Sequence, residues 1–540
     1  MQNSNREYKR NYLDTNECTS RGACSVSPSI ASMEEVAILF LQQLAYYILK
    51  LENFGASNNK IRFEIITTLA SLISLNEFSE KQLHTIIVNE YFMLEEVKKT
   101  YNQLCKEKNI VPQDIKRISK FNASTTVAQT IALGEKLFLE KYNKISTEQK
   151  NLIEILMIII KSVSLNLIKL NDFNEFDSEI YHEILKTLDI FNDKKLQNKQ
   201  VMENISKLAM LDYKLQLKIS ELLLKTFDGI SKVEVSHSTT KGKAILVSGN
   251  NFFDLLKILE ETKDKDIDIY THSNLLITHA LNKFHQFKNL KGHYGDNTEN
   301  CILDFATFPG SILLTKNSKN NTEYLYRGRL FSNDYIVPNG VIKIENDNYD
   351  ELIEAAENAK GFSKGKTKEN TILGFNEQEI ETQIDTIIEK LNNGNIEKLY
   401  IIGIDPHSQI QKEYFKEFLT KLKPKEFAIS FSYESKKDNV LTINIGNYIP
   451  LASAILKKLF DKYPLSSNKI VFLFTTCDVM TISNIIILKN KDAKNIHMAK
   501  CQPTIINPSV FETFSNTYSI KTTTNPENDL NLIRKQKDTP

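Results

Sequence analysis

The stretch from Ala244 to Ser318 decides the fold, because short apolar runs alternate in it with segments of helical periodicity. It begins AILVSGNNFFDLLKILEET, continues through DIDIYTHSNLLITHALNKF and ends CILDFATFPGSILLTKNS. Its apolar runs are Ala244–Val247, Ile267–Tyr270 and Ile312–Leu314. This alternation predicts a β-α-β-α-β unit with a parallel sheet. In such sheets, ligands bind beyond the carboxyl ends of the strands.

The residues just beyond these predicted strands are the first candidates for a functional site. They are Gly249-Asn250, Thr271-His272-Ser273-Asn274 and Asn317-Ser318. A phosphate-binding turn at Gly249 would need further glycines and an acidic residue after the next strand, and the sequence has neither. The sequence therefore favours an ordinary strand-to-helix turn, with Asn250 near the start of the helix, over a nucleotide site.

Histidines are concentrated between His272 and His293, with His279 and His285 between them. A helix is predicted from Asn274 to Phe284. Two metal ligands on one helix face lie three or four residues apart, whereas His279 and His285 do not have that spacing. His272 would end a strand, where a hydrogen-bonding histidine is common. The spacing favours hydrogen-bonding histidines over a zinc or iron site.

The six cysteines are scattered, and only Cys18 and Cys24 lie close together. This spacing is not a disulfide framework and indicates a reducing compartment. A four-iron cluster needs four thiolates, so two free thiols are the favoured interpretation of this pair. Cys477 and Asp478 follow the predicted strand Val471–Phe474, in a position suited to chemistry. A structural cysteine is nevertheless favoured there over a nucleophile.

The composition is that of a soluble globular protein, with 41% hydrophobic and 25% charged residues. The net charge of +1 gives no electrostatic reason to expect nucleic acid or a membrane as a partner. No apolar run approaches the roughly 18 residues of a membrane span. The polar start MQNSNREYKRNY lacks the apolar region of a secretory signal. We therefore expect a cytoplasmic protein and leave a short organelle presequence open.

Residues 30–228 carry helical periodicity without a strand signal. The first helix is predicted to begin at Ser32, because Glu35 three residues later completes a capping box, and to end at Gly55. Further helices are predicted at about 59–75, 79–107, 124–143, 147–170, 178–190 and 197–227. Long amphipathic helices joined by short polar loops form antiparallel bundles, so a helical bundle is expected here.

Strand and helix patterns alternate again in the last third of the chain. Strands are predicted at Lys398–Ile404, Glu426–Phe431, Val440–Ile445, Lys469–Phe474 and Ile496–Ala499. We therefore predict an α/β multidomain protein with an irregular segment 1–30, an all-helical bundle domain 31–229 and two Rossmann-like α/β domains, 230–355 and 356–540, with mainly parallel sheets. Beyond about residue 526 the chain is expected to begin a short helix and then fray.

Several of these segments resemble motifs of the hybrid cluster proteins, also called hydroxylamine reductases or prismane proteins. ILVSGNNFFDLLKILEET is similar to the family segment ILVSGHDLxDLxxLLEQT, DIDIYTHSNLLITHAL to VDVYTHGEMLPAHxY, and FATFPGSILLTKNS to FxxFxGPILxTTNC. CTSRGAC resembles the second half of the family's four-cysteine motif. The resemblance covers nearly the whole chain, and it implies a helical domain followed by two Rossmann-like domains.

The resemblance also implies a hybrid iron–sulfur–oxygen cluster, bound by one histidine, two glutamates and four cysteines, in a reductase of hydroxylamine or nitric oxide. This chain has other residues at those positions. The histidine falls on Asn250, the glutamates on Asn274 and Asp478, and the cysteines on Ser318, Ile404, near Ser432 and on Tyr448. Cys18 and Cys24 match the last two ligands of a second, proximal cluster, whereas its first two ligands fall near Arg6 and Lys9.

From these substitutions we expect a scaffold that has lost its iron–sulfur ligands and binds no cofactor. Such a pseudoenzyme would have a binding or regulatory role, with an unknown protein partner or a second copy of itself. One alternative is an iron–sulfur hydroxylamine or nitric oxide reductase, as the resemblance implies. The other is a repurposed enzyme that uses Asp478, Cys477, His272 and Asn274 at the same site.

Overall fold

A computed structural model describes residues 26–56, 58–115, 121–142, 145–193, 196–295, 301–316, 328–334, 337, 340–405, 411–431, 433–498 and 508–536. The chain forms two compact units. The first comprises Met1–Asp212 with Gln502–Tyr518, and the second comprises Tyr213–Cys501 with Ser519–Pro540. The described part of the first unit is helical, and the second unit contains two large sheets.

The elements are numbered in chain order. The α-helices of the described residues are α1 Pro28–Glu52, α2 Asn59–Ser71, α3 Glu80–Glu107, α4 Val127–Tyr142, α5 Thr147–Asp172, α6 Ser178–Asp189, α7 Asn198–Thr226, α8 Phe252–Thr262, α9 Cys301–Thr307, α10 Asp350–Asn358, α11 Glu377–Asn392, α12 Lys412–Thr420, α13 Ile449–Lys462, α14 Val479–Asn490, α15 Pro508–Tyr518 and α16 Pro526–Arg534. The strands are β1 Val233–Val235, β2 Lys243–Ser248, β3 Ile267–His272, β4 Leu290–His293, β5 Ser311–Leu314, β6 Leu330–Ser332, β7 Ile342–Lys343, β8 Thr371–Leu373, β9 Lys398–Ile402, β10 Glu426–Ser430, β11 Val440–Thr442, β12 Ile470–Phe474, β13 Asn495–Met498 and β14 Lys521–Thr522.

Helix α1 begins earlier than the capping-box pattern predicted. Its N-cap is Ser27, whose hydroxyl oxygen accepts a hydrogen bond from the N–H of Ile30 at 3.3 Å, and Pro28 occupies the first turn. Ser32 lies inside the helix, where its hydroxyl donates to the Pro28 carbonyl at 2.8 Å. The prediction was wrong because the Ser-Pro start signal lies just upstream of the capping-box pattern.

The predicted helix from Asn274 to Phe284 is also wrong. The chain instead forms two 3-10 segments, Ser273–Ala280 and Asn282–Gln286. Leu281 between them has an extended backbone, which interrupts the helical hydrogen bonds. His279 and His285 therefore do not lie on one continuous helix.

Helix α5 lies in the core of the first unit. It is long and apolar enough to cross a membrane by composition, but most of its apolar stretch is buried inside the protein. Its Ser162 hydroxyl and Asn166 amide donate to the fully buried carboxylate of Asp212 at 3.0 and 2.7 Å. These bonds compensate for burying a carboxylate and fix the pairing of α5 with α7.

The first sheet is parallel and has the strand order β4-β3-β2-β5-β6-β7. Its central strand β2 is fully buried from Ala244 to Val247, as expected for a sheet covered on both faces. Along the chain, β3 and β4 are added on one side of β2, and β5 is then added on the other side of β2. The carboxyl ends of β2 and β5 therefore flank the crevice where doubly wound sheets bind ligands.

The second sheet is parallel too, with the order β11-β10-β9-β12-β13-β14. Here the strand order reverses between β9 and β12, so their carboxyl ends form the corresponding crevice. A small antiparallel sheet pairs β1 with β8. The predicted fold class, a helical region followed by two Rossmann-like sheets, is confirmed. The three predicted boundaries between the four segments stay predictions.

The C-terminal helix α16 is anchored to the second unit by buried apolar residues and an ion pair. Leu530 and Ile533 are fully buried in a hydrophobic cluster with Tyr400 of β9 and Phe418 of helix α12. Arg534 forms an ion pair with Glu426 of β10. The short helix predicted from about residue 526 is present, and its apolar stripe packs on a surface that lies far away in sequence. The fraying predicted after it falls mainly on residues 537–540, which lie outside the described residues.

Candidate functional site

Polar side chains tie together the carboxyl ends of three neighbouring strands of the first sheet. Asn274, after β3, donates its Nδ2 to Asn250 Oδ1, after β2, at 2.6 Å. The N–H groups of Asn250 and Asn251 donate to Thr315 Oγ1, after β5, at 3.0 and 3.2 Å. The structure thus brings together two residues that the sequence singled out. It adds Thr315, whose only sequence signal is that it directly follows an apolar run.

Asn251, one residue beyond the position that the sequence favoured, caps helix α8. Its Oδ1 accepts from the N–H groups of Phe253 and Asp254, both at 3.0 Å, and the residue is buried. We expect Asn251→Ala to lower the free energy of unfolding by about 1 kcal/mol, because two amides lose their acceptor. Denaturant unfolding measures this, with the exposed Asn358→Ala as control, expected to change stability by less than about 0.5 kcal/mol. Equal effects of the two variants would contradict the capping role.

His272 ends β3 and is fully buried. Its Nδ1 lies 2.8 Å from Ser248 Oγ, and its Nε2 lies 3.3 Å from Asp304 Oδ2. A serine, a histidine and an aspartate in series are the elements of a nucleophilic triad. Ser248 is itself fully buried at the end of β2, however, so no substrate reaches it in this conformation. The series instead joins the ends of β2 and β3 to helix α9.

The other histidines of this region also form hydrogen bonds, as the spacing favoured. Thr271 Oγ1 lies 2.8 Å from His279 Nε2 and 2.9 Å from His293 Nδ1. Burial lowers the pKa of His279 to about 3, and the neighbouring His237 and His285 contribute to the shift. His279 is therefore neutral at physiological pH. Within the described ranges, no three His, Cys, Asp or Glu side chains form a group that could hold a metal ion.

At the second sheet, Ile404 and Asp405 follow β9. Ile404 contributes its backbone, because its carbonyl accepts from Asn484 Nδ2 at 2.8 Å while its apolar side chain is buried. Asp405 Oδ2 accepts from the N–H groups of Thr475 and Thr476, after β12, both at 2.7 Å. Asp405 therefore bridges the two strands at which the strand order reverses. Asp405 was not predicted from the sequence, although an acidic residue directly after an apolar strand is a usable signal.

The carboxyl group of Asp405 titrates unusually. Burial raises the pKa of Asp405 to about 7. The hydrogen bonds from Thr476 and Thr475 lower this pKa in part, and the charge of the nearby Asp478 adds to the rise. Strongly shifted groups of this kind concentrate at functional sites. The shift makes the end of β9 a second candidate position beside Asn250 and Asn274.

Cys477 and Asp478 follow β12, and Tyr448 directly precedes helix α13. Asp478 is the N-cap of helix α14, and its Oδ1 accepts from the N–H of Thr481 at 2.7 Å. Cys477 beside it is buried. The buried ring of Tyr448 packs edge-on against Phe252, with 5.2 Å between centroids. The remaining predicted positions lie outside the described residues; they are Arg6, Lys9, Cys18, Cys24, Asn317, Ser318 and Ser432.

Comparison with known proteins finds relatives that match nearly the whole chain. The sequence profile of the Prismane/CO dehydrogenase family matches residues 14–430. The chain is 24% identical to a hydroxylamine reductase of Thermodesulfovibrio yellowstonii, covering 96% of this chain and 98% of the relative. It is 23% identical to a hydroxylamine reductase of Methanocella arvoryzae, and the alignment covers 96% of this chain and 97% of that relative. A solved structure of acetyl-CoA synthase/carbon monoxide dehydrogenase alpha subunits aligns with a TM-score of 0.45 and 11% identity, over 95% of this chain and 83% of that one.

Proposed function

Because the chain belongs to the Prismane/CO dehydrogenase family, we propose that it is a hybrid-cluster-protein-like scaffold that has lost the family's iron–sulfur ligands. In this proposal it is catalytically inactive as a reductase and has a binding or regulatory role. The observation that carries the proposal is the set of side chains at the strand ends where the resemblance places cluster ligands.

That set does not fit an iron–sulfur cluster. Such clusters are held by thiolates, which soft iron–sulfur chemistry requires. The matching positions in the described residues carry Asn250, Asn274, Ile404, Tyr448 and Asp478. Four of these offer only amide, phenol or carboxylate groups, and the isoleucine side chain has no ligand atom. Cys477 is the one thiol beside them in that part of the chain, and a single thiol cannot replace four.

The groups at these positions also serve the protein's own structure. The amides of Asn250 and Asn274 bond to each other, and Asp478 caps a helix. Tyr448 fills space against Phe252. A side chain that already satisfies its partner would have to break that contact before it could bind iron. This supports a framework stabilised without the cluster.

Iron and sulfide analysis of anaerobically purified protein tests the proposal. We expect no stoichiometric iron or sulfide and no visible cluster absorption, before or after anaerobic reconstitution. The hydroxylamine reductase of T. yellowstonii, treated in parallel, is the positive control. Stoichiometric clusters in this chain would refute the proposal.

The full-length similarity to hydroxylamine reductases favours one alternative, a working iron–sulfur hydroxylamine or nitric oxide reductase. It requires cluster ligands other than those that the resemblance indicates. Methyl-viologen-dependent reduction of hydroxylamine by the reconstituted protein would support it. The third possibility, a repurposed enzyme that uses His272 and Cys477, has less support because both side chains are buried.

A further inference from the structure

We propose that the second-sheet edge, formed by Asp405, Thr476, Asp478 and Thr481, binds one divalent hard cation of the Mg²⁺ or Ca²⁺ type. This inference rests on the proposed function, because it assigns a cation to an edge from which the cluster has been lost. Three features of the described residues support it. They are an unsatisfied buried oxygen, a hydrogen-bonded link between two carboxylates, and the position of both at the reversal of strand order.

The unsatisfied oxygen belongs to Asp405, which is 1% exposed. Its Oδ2 receives four hydrogen bonds, from the N–H and hydroxyl groups of Thr475 and Thr476, at 2.7–3.3 Å. Its Oδ1 is buried and accepts none. A buried polar atom without a partner costs free energy, so native proteins normally pair it with a protein group, a water or an ion. Oδ1 is therefore the atom at which a ligand is expected.

A series of hydrogen bonds connects Asp405 to a second carboxylate, that of Asp478. Thr476 Oγ1 donates to Asp405 Oδ2 at 3.0 Å and lies 3.1 Å from Thr481 Oγ1. Thr481 in turn donates its N–H to Asp478 Oδ1 at 2.7 Å. The two carboxylates therefore flank the same pair of threonines. The charge of Asp478 acts against that of Asp405, and a bound cation relieves this repulsion.

The position agrees with how doubly wound sheets bind ligands. Asp405 follows β9 and Asp478 follows β12, the two strands between which the order reverses. The crevice outside the carboxyl ends of such strands is where these folds place ligands. A site at this point is thus supported by topology independently of the side-chain chemistry.

The donor chemistry identifies the class of ligand. The second-sheet edge offers carboxylate and hydroxyl oxygens, which hard cations prefer over soft metals. Two carboxylates match the charge of a divalent ion. Mg²⁺ commonly binds through one or two carboxylates and keeps several waters, so the site does not need a complete cage of protein ligands.

Titration with Mn²⁺ tests the inference, because Mn²⁺ shares this oxygen chemistry. Electron paramagnetic resonance measures the free Mn²⁺, and the bound amount follows by difference. The full chain is treated with chelator, desalted and assayed for iron and sulfide before titration. We expect one Mn²⁺ per chain, displaced by Mg²⁺ or Ca²⁺. Asp405→Asn and Asp478→Asn should each weaken binding by at least about tenfold. Both variants keep an oxygen for the existing hydrogen bonds.

Asp385→Asn is the matched control, because Asp385 is exposed on α11 and pairs with Lys458 and Lys462. It should leave Mn²⁺ binding unchanged. Absence of Mn²⁺ binding in the iron-free protein, or equal binding by wild type and both edge variants, overturns the inference while the proposed function stands. A stoichiometric cluster in the iron and sulfide assay refutes the proposed function instead. If circular dichroism shows that Asp405→Asn does not fold, Mn²⁺ binding by Asp478→Asn decides whether the inference stands.

Discussion

Arg534→Ala is expected to lower the unfolding free energy of the second unit by about 3 kcal/mol. Arg534 Nε and Nη2 donate to the two carboxylate oxygens of Glu426 at 2.6 and 2.7 Å. The Glu426 side chain is 5% exposed, so the substitution leaves a buried carboxylate without its cation. The Arg534 side chain is 20% exposed, and water can enter the gap. We therefore expect a loss of stability at the lower end of the range that is typical when one partner of a buried ion pair is removed.

The cost of Arg534→Ala should depend on pH. Burial alone would raise the pKa of Glu426, but the hydrogen bonds from Arg534 and from the N–H of Lys423 hold that pKa below its ordinary value. A carboxyl with a depressed pKa stabilises the fold above its unfolded pKa, and this contribution is lost as pH falls through the folded pKa. The substitution should thus cost most near neutral pH and less below about pH 4.

Urea unfolding at several pH values measures these effects. Lys421→Ala is the control, because its ion pairs with Glu417 and Glu527 are screened by solvent and should contribute little to stability. The double variant Arg534→Met with Glu426→Met should recover much of the loss, because it leaves no charge buried. A cost for Arg534→Ala no larger than that of the control would contradict this account.

This ion pair also shows where sequence-based prediction stops. Arg534 and Glu426 are 108 positions apart, and local periodicity carries no information about such a pairing. Strands were predictable where apolar runs of four or more residues are bounded by turns, as in β2 and β12. The two residues of β14 carry too little pattern to be recognised. They become a strand because β13 offers them a partner.

The same limit applies to the candidate site. Asn250 and Asn274 could be predicted, because parallel strands end at one edge and both residues lie within a few positions of the end of an apolar run. Thr315 and Asp405 were missed because their roles depend on strand order. Thr315 binds the loop after β2 only because β5 lies beside β2, and Asp405 reaches Thr475 only because β12 lies beside β9. Sequence pattern locates strands but does not order them.

Glu90→Met is expected to stabilise the first unit, by about 2 kcal/mol near pH 8. Glu90 lies on α3 among the residues that face the helical core, and it is fully buried. Neither carboxylate oxygen has a hydrogen-bond partner. Methionine has a similar length, adapts to irregular space and brings no group that must be satisfied. The substitution therefore removes a cost without opening a cavity.

The effect of Glu90→Met should grow with pH. Burial raises the pKa of Glu90 well above its ordinary value, so the folded protein holds a proton that the unfolded chain has released. Stability then falls as pH rises from the unfolded pKa, about 4.3, toward the folded one. Wild type should lose stability across this window, and Glu90→Met should not. Thermal and urea unfolding of both proteins at pH values on either side of the window measure the difference.

Glu90→Gln separates the cost of the charge from the cost of an unpaired polar group. Glutamine cannot ionise but still buries amide atoms without partners, so its stability should fall between those of wild type and Glu90→Met at high pH. At low pH, where Glu90 is protonated, wild type and Glu90→Gln should be similar. The exposed Glu96→Met on the same helix should change stability by less than about 0.5 kcal/mol at every pH. A Glu90→Met variant less stable than wild type at pH 8 would show that the folded protein stabilises this carboxylate. The explanation that burial of Glu90 destabilises the first unit would then be wrong.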